Sequence, residues 1–286
     1  MSPDNVRYLI IPDVHGRTFW KHMVEECLKN HPHIKIIFLG DYLDPYQYEG
    51  ITPEDAIEVF DEIIELKHQY PDRIILLLGN HDLHYVMNDR RGCRMDYRNK
   101  GRIVDTFRKE FDNFDLCWFD EIVGKNIIFS HAGFTRGWLN HRIKWINPEM
   151  LEKYTSNEIY YSIDYRMIKE TDWKDLLKRS HIFSDVSYYR GGDDSFSSFL
   201  WTDVNEMIEA ADPINAMQIF GHSQQEKDPV KYKDFYCLDC RKPFLLTDDA
   251  VVRTEYYLAL DDNTAEIDER MKKKAESLSK YMGFFM

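Results

Sequence analysis

The chain has 286 residues, 43% of them hydrophobic, enough to bury a substantial core in one large domain or two small ones. Thirty-seven Lys and Arg stand against fifty Asp and Glu, a formal net charge of −13. So acidic a chain lacks the basic surface that bulk nucleic-acid or anionic-membrane binding requires.

No apolar run approaches the ~20 residues of a membrane span. The first 20 residues carry too many charges for a signal peptide, so a cytoplasmic location is expected. The stretch "RYLII" (7–11) is rich in β formers and predicts the first strand. Phe19, Met23, Val24, Cys27 and Leu28 then recur at helical spacing over 18–30. "IKIIFLG" (34–40) predicts a second strand. Residues 52–70 predict a well-marked helix: Thr52 can cap it, Pro53 suits its first turn, and Glu54 and Asp55 favour the positive end of its dipole. Ala56, Ile57, Phe60, Ile63 and Ile64 form its apolar stripe. "RIILLLG" (73–79) is a third strand. Strands that alternate with helices and read as continuous apolar runs indicate parallel β-α-β units, buried on both faces.

Residues 84–112, with Arg90, Arg91, Arg94, Arg98 and Arg102, are expected to form helices over the sheet edge. "NIIFSHAG" (126–133) is another strand with a polar end. From about 135 to 200 aromatic and charged residues mix, which predicts a helical cap or insert with a flexible loop at "YYRGGDDSFSS" (188–198). "AMQIFGHS" (216–223), "DFYCLDC" (234–240) and "VVRTEYYLALDD" (251–262) predict further strands. A helix is expected over about 265–282, with Ile267, Met271, Ala275, Leu278 and Met282 on the face docked to the body. No internal repeat is visible, and the chain 1–286 is read as a single domain. The cysteines are Cys27, Cys93, Cys117, Cys237 and Cys240; an odd count without a leader argues for reduced thiols. Cys237 and Cys240 form one C-x-x-C pair without the second pair that a structural zinc site needs.

The strand ends share a chemistry. "LIIPDVHG" presents Asp13 and His15, "IIFLGDYLD" Asp41 and Asp44, "LLLGNHD" Asn80 and His81, "IIFSHAG" His131, and "QIFGHS" His222. Ligands of open α/β sheets bind outside the carboxyl ends of the strands, so these groups are expected to converge. Asp13 and His15, two residues apart in extended chain, would point to one side and hold one ion. Imidazoles mixed with carboxylates suit Mn, Fe or Zn rather than Ca or Mg. Asp41 could bridge two ions, and Asn80 could supply an amide oxygen. His81 is expected to point elsewhere and need not be a ligand.

In order and spacing, Asp13-x-His15, Gly40-Asp41-x-x-Asp44, Gly79-Asn80-His81-Asp82, His131 before Ala-Gly, and Gly221-His222 resemble the calcineurin-like metallophosphoesterase superfamily. "FSHAGF" and "FLWTD" (199–203) further resemble the branch of the serine/threonine protein phosphatases and symmetric diadenosine tetraphosphatases. The resemblance implies an α/β (α+β) fold: a two-layer mixed β-sandwich flanked by helices, with the site at the strand ends. It implies that Asp13, His15 and Asp41 hold one metal, and that Asp41, Asn80, His131 and His222 hold the other. His81, oriented by Asp44, would protonate the leaving oxygen. The cofactor would be two divalent or trivalent transition-metal ions, Mn2+ in the first place with Fe or Zn as alternatives. Two features depart from the protein phosphatases. Pro45-Tyr46 stands where they have Arg-Gly, and residues 201–222 contain no Arg. Substitute phosphate clamps could come from Arg90, Arg91, Arg94, Arg190 or Arg241; Arg94 and Arg190 are the first candidates.

The expected function is hydrolysis of phosphomonoesters, protein phosphatase-like, through a metal-bridging hydroxide, with a phosphorylated small molecule or protein as substrate and no membrane partner. The alternative within the enzyme class is a dinucleoside polyphosphate or phosphodiester hydrolase. A binding scaffold that has lost activity is disfavoured because every family ligand is present. Nucleic-acid processing is disfavoured by charge, with a local basic groove at 90–102 as its remaining foothold.

Overall fold

The structure is a computed structural model that describes residues 5–87, 94–210, 214–254, 259–260 and 262–282, with side chains in the last helix described as far as 276. Arg90, Arg91, Cys93, residues 255–258 and 261 of the predicted strand 251–262, and the side chains of Leu278 and Met282 lie outside the described residues.

Strands β1 (Val6–Ile11), β2 (Lys35–Phe38) and β3 (Ile74–Leu77) run parallel, as the β-α-β reading requires. Helices α1 (Lys21–Asn30) and α2 (Pro53–Gln69) connect them. In α2 the Thr52 hydroxyl accepts from the Asp55 N–H while the Asp55 carboxylate accepts from the Thr52 N–H, a reciprocal cap. The predicted stripe is buried, with Val59 added to it. Helix α3 (Asn80–Val86) differs from expectation: Asn80, His81 and Asp82 do not end the strand but form the first turn of a helix. The reason is local. The Asp82 carboxylate at the third helical position accepts from the Gly79 N–H (2.8 Å), closing the helix start. Helix α4 (Lys100–Glu110) sets Phe107 against Phe114 of the edge strand β4 (Phe114–Asp115), centroids 5.3 Å apart.

Strands β5 (Cys117–Ile122), β6 (Lys125–Ser130), β7 (Met217–Phe220), β8 (Val230–Tyr232), β9 (Phe235–Cys237), β10 (Phe244–Thr247) and β11 (Val252–Thr254) complete two mixed sheets. The orders are β11-β10-β1-β2-β3-β4 and β5-β6-β7-β9-β8. Strands β4, β5, β8 and β10 were not expected from the sequence, because two to four residues or a charge-bearing run give little periodic signal. β10 pairs antiparallel with β1 and makes the first sheet mixed.

The sheets pack face to face. Tyr8, Ile10, Ile37, Ile75 and Leu77 from one meet Ile127, Phe129, Ile219 and Tyr236 from the other in a single apolar layer. The alternate residues Leu9, Ile11, Ile36, Phe38, Ile74 and Leu76 turn outward onto the helices, as a period of two dictates. The arrangement is a two-layer β-sandwich flanked by helices.

Between β6 and β7, short helices occupy Arg136–His141, Ile143–Ile146, Met150–Lys153, Ser156–Ser162, Tyr165–Glu170 and Trp173–Arg179. Part of their aromatic content forms a core, where Phe134 and Phe199 stack at 4.1 Å with Trp173 5.1 Å and Trp138 5.6 Å from Phe199, while Trp145, Tyr154 and Tyr161 are exposed. Buried Glu206, from the helix Val204–Ala210, ties together the two ends of the loop 188–198, accepting from the Ser187 hydroxyl (2.7 Å) and the Ser197 N–H (2.8 Å). The helix Thr264–Met282 buries Ile267 and half-buries Met271 against the second sheet, while Ala275 is exposed. Cys27, Cys117, Cys237 and Cys240 are buried free thiols. No described helix is long and apolar enough to cross a membrane.

Candidate active site

The carboxyl ends of β1, β2 and β3 in one sheet and of β6 and β7 in the other open on the same cleft. His15, Asp41 and His81 offer ligand atoms within 4.8 Å of one another, and so do Asp41, His131 and His222. Asp41 is common to both groups. Asp13, Asn80 and Asp44 are buried beside them.

The chain reaches these positions by tight turns. His15, Asp41, Asp44 and His222 have φ of 45°, 54°, 59° and 63°, the left-handed region that Asp and His tolerate better than most side chains. The extended geometry expected from Asp13 to His15 therefore does not hold. The Asp13 carboxylate instead turns to accept from the His222 N–H (3.0 and 2.9 Å), tying β1 to β7 across the two sheets. Gly221 permits this approach: a Cβ there would stand 2.1 Å from Asp13 Oδ2. Gly79 has the same part beside Asp41, whose Oδ1 a Cβ would meet at 2.2 Å.

Second partners orient the imidazoles. His15 Nδ1 lies 2.7 Å from the Leu43 carbonyl and His131 Nδ1 2.8 Å from the Leu39 carbonyl. A carbonyl only accepts, so Nδ1 carries the hydrogen in both rings and Nε2 presents a lone pair. The two lone pairs face Asp41 Oδ2, at 3.4 Å from His15 and 3.6 Å from His131. His131 Nε2 also faces Asn80 Oδ1 (2.9 Å) and His222 Nδ1 (3.1 Å). The His222 Nε2 is buried without a hydrogen-bond partner among the described residues. Lone pairs and carboxylate oxygens thus share one buried space with few hydrogens between them, a donor set that fits a transition-metal cation.

Burial dominates the protonation of every member. It pushes the Asp13 carboxyl up to about 6 and raises Asp41, and it drives His15, His131 and His222 down. The imidazoles are therefore neutral near pH 7, the form that ligates a metal.

His81 lies against His15, ring centroids 5.1 Å apart and nearly perpendicular, so it faces the same cluster rather than away from it. Its Nδ1 is 2.8 Å from Asp44 Oδ2. Burial pushes the Asp44 carboxyl up to about 7 and His81 down to about 4, so it disfavours the charged form of each. Tyr85, one helical turn beyond His81, donates its hydroxyl to Asp44 Oδ1 (2.5 Å) and accepts from the Asp96 N–H (2.8 Å).

Both first-choice arginines reach the cleft. Arg94 places NH2 3.4 Å from His15 Nε2 and 3.3 Å from His81 Nε2, and its Nε donates to the Asp44 carbonyl (3.2 Å). Arg190 donates to the Ser223 hydroxyl (2.9 Å) and the His222 carbonyl (3.3 Å), and pairs with Asp203 (3.0 Å). Arg241 is engaged by Tyr48 (3.0 Å) and Glu49 (3.3 Å). Arg98 and Arg102, members of the suspected basic groove, pair with Glu54 and Asp61.

The parts that three residues take in the site were not legible in the sequence. Asp82 is fully buried and accepts from the N–H groups of Asp41 (2.7 Å), Tyr42 (3.1 Å) and Gly79, clamping two strand ends together. Its position three residues after Gly79 was the available signal. Tyr85 could have been found as the residue four beyond His81 on one helix face. Tyr46, whose ring lies under the Arg94 guanidinium with Cζ 3.6 Å from the centroid, carried no signal.

This arrangement is that of a metal-binding α/β fold of the phosphoesterase class. A family model of calcineurin-like phosphoesterases matches residues 6–226, and the chain belongs to that family. Over 138 residues it is 30% identical to the serine/threonine-protein phosphatase 6 catalytic subunit of Drosophila melanogaster, covering 46% of this chain and 41% of that protein. Over 177 residues it is 24% identical to serine/threonine-protein phosphatase C23G10.1 of Caenorhabditis elegans, covering 52% of this chain and 37% of that protein. The chain thus spans about two fifths of the length of the curated relatives it matches. A solved protein serine/threonine phosphatase from Saccharomyces cerevisiae, described as similar to human phosphatase PP5, aligns with a TM-score of 0.49 and 14% identity, over 86% of this chain and 74% of that one.

Proposed function

We propose that the protein is a metal-dependent phosphoesterase that hydrolyses phosphomonoesters in the manner of a protein phosphatase. The observation that carries this reading is Asp41 Oδ2 standing between the Nε2 lone pairs of His15 and His131. Asp13, His15 and Asp41 would hold one ion, and Asp41, Asn80, His131 and His222 a second. When bound, the ions supply Lewis acidity that activates water and neutralises charge on the phosphoryl oxygens. We infer Mn2+ as the metal, with Fe or Zn as alternatives, from the mixed imidazole and carboxylate donors.

The remaining work falls to this chain's own residues. Protonated on Nε2, His81 would deliver that proton to the leaving oxygen, with Asp44 holding the ring through Nδ1. Tyr85 keeps Asp44 in place for that transfer. Arg94, beside His15 and His81, and Arg190, beside His222, would grip the phosphoryl oxygens. We read residues 1–286 as one catalytic domain whose segment 135–200 caps the cleft. Buried free thiols support a cytoplasmic setting.

The test is a phosphoester panel on protein reconstituted separately with Mn, Fe, Zn, Ni and Mg. Turnover of p-nitrophenyl phosphate above that of its bis ester supports the phosphomonoester reading. The reverse order moves the assignment to a diester or dinucleoside polyphosphate. No turnover with any metal overturns it in favour of a binding role.

A further inference from the structure

Arg94 differs from the other arginines of the cleft in what holds it. Arg190 is fixed by the Asp203 carboxylate, which cancels much of its charge. Arg17 is fixed by Glu49 through Nε (2.8 Å) and NH2 (3.1 Å). Among the described residues, no carboxylate pairs with Arg94. Its guanidinium lies over the ring of Tyr46, with Cζ 3.6 Å from the centroid, the separation of two planar groups in contact. The Tyr46 ring is itself held: its neighbours are His15 at 5.1 Å and 77°, Tyr48 at 5.4 Å, and the Arg17 guanidinium at 5.3 Å.

The two ways of fixing an arginine have different chemical consequences. A carboxylate positions the cation and also neutralises it. An aromatic face carries no net charge, so it positions the cation and leaves its charge for a ligand. The long side chain then loses its rotamer freedom in the free protein rather than on binding.

We propose that Tyr46 is the positioning residue for anion recognition in this cleft: its ring holds the Arg94 guanidinium beside His15 and His81 so that it meets a phosphoryl oxygen already oriented. The inference rests on the reading of Arg94 as a phosphate clamp. It makes "DPYQ" (44–47) the segment that supplies both the carboxylate for His81 and the platform for the cation.

The test uses full-length protein loaded with Mn2+, with p-nitrophenyl phosphate as substrate and inorganic phosphate as a ligand measured by calorimetry. Tyr46→Phe keeps the ring face and should leave KM and the phosphate Kd within about 2-fold. Tyr46→Leu keeps bulk without the face and should raise both about 3- to 10-fold, with a smaller change in kcat. In an Arg94→Ala background, Tyr46→Leu should add nothing further to Kd, the mark of a coupled pair. If Tyr46→Leu does not fold by circular dichroism, Arg94→Lys removes the same stack from the other side and should weaken phosphate binding to a similar degree. An Arg94→Ala loss beside a silent Tyr46→Leu would overturn the stack alone. An unchanged Kd in Arg94→Ala would overturn the clamp reading and the stack with it.

Discussion

His81 Nδ1 and Asp44 Oδ2 are 2.8 Å apart, and both groups are buried. The pair brings together the first turn of α3 and the loop after β2, and it leaves His81 Nε2 facing Arg94 beside His15. If this nitrogen protonates the leaving group, His81→Asn should lower turnover of an alkyl phosphomonoester by about 10² to 10⁴. Loss on p-nitrophenyl phosphate should be much smaller, because nitrophenolate departs without a proton. Asp44→Asn and Tyr85→Phe should follow the same pattern more mildly. Steady-state rates on the two ester types, with metal content in parallel, decide it; equal losses on both would remove His81 from the proton transfer.

Asp41 is shared by both ligand groups. Wild-type protein should bind close to two metal ions per chain, and Asp41→Asn should lose more of them than His15→Asn or His222→Asn. Elemental analysis after dialysis measures this. Two full equivalents in the Asp41 variant would rule out the bridging position.

Arg94 and Arg190 should act on affinity before rate. Alanine at either is expected to raise KM for a phosphomonoester roughly 10- to 100-fold, the value of a lost hydrogen bond to a charged group. The Arg190 variant should also free Asp203, so Arg190→Gln is the cleaner companion. Unchanged KM in both variants would place the clamp elsewhere.

The cap of α2 sets a pH signature away from the site. Bonds from the Thr52 hydroxyl and N–H hold the exposed Asp55 carboxyl below its ordinary value. A carboxyl depressed in the folded state stabilises above its unfolded pKa of about 4 and loses that contribution as pH falls through the folded value. Wild type should therefore exceed Asp55→Ala in urea midpoint at neutral pH, and the gap should close on acidification. A gap that stays constant down to about pH 2 would show that the carboxylate charge contributes nothing.

The chain's own order of residues determined the apolar strands followed by Asp, Asn or His, the α2 cap, and the motifs that carry the candidate ligands. Each of these is written within a few residues: an apolar run, a glycine where backbone must approach a carboxylate, then a donor. Tertiary structure alone decided how the strands divide between two sheets, because a run buried on both faces reads the same in either. It also decided the links that close the site. Asp13 meets the His222 N–H across 209 residues, Asp82 meets the Asp41 N–H across 41, and Arg94 approaches His15 across 79. No periodicity connects such positions; their partners are set by which loops the two packed sheets bring to one edge. Arg94 shows the limit most plainly. Its charge was legible, and its place over Tyr46 was not, because a cation–π stack between distant loops leaves no pattern in the order of residues.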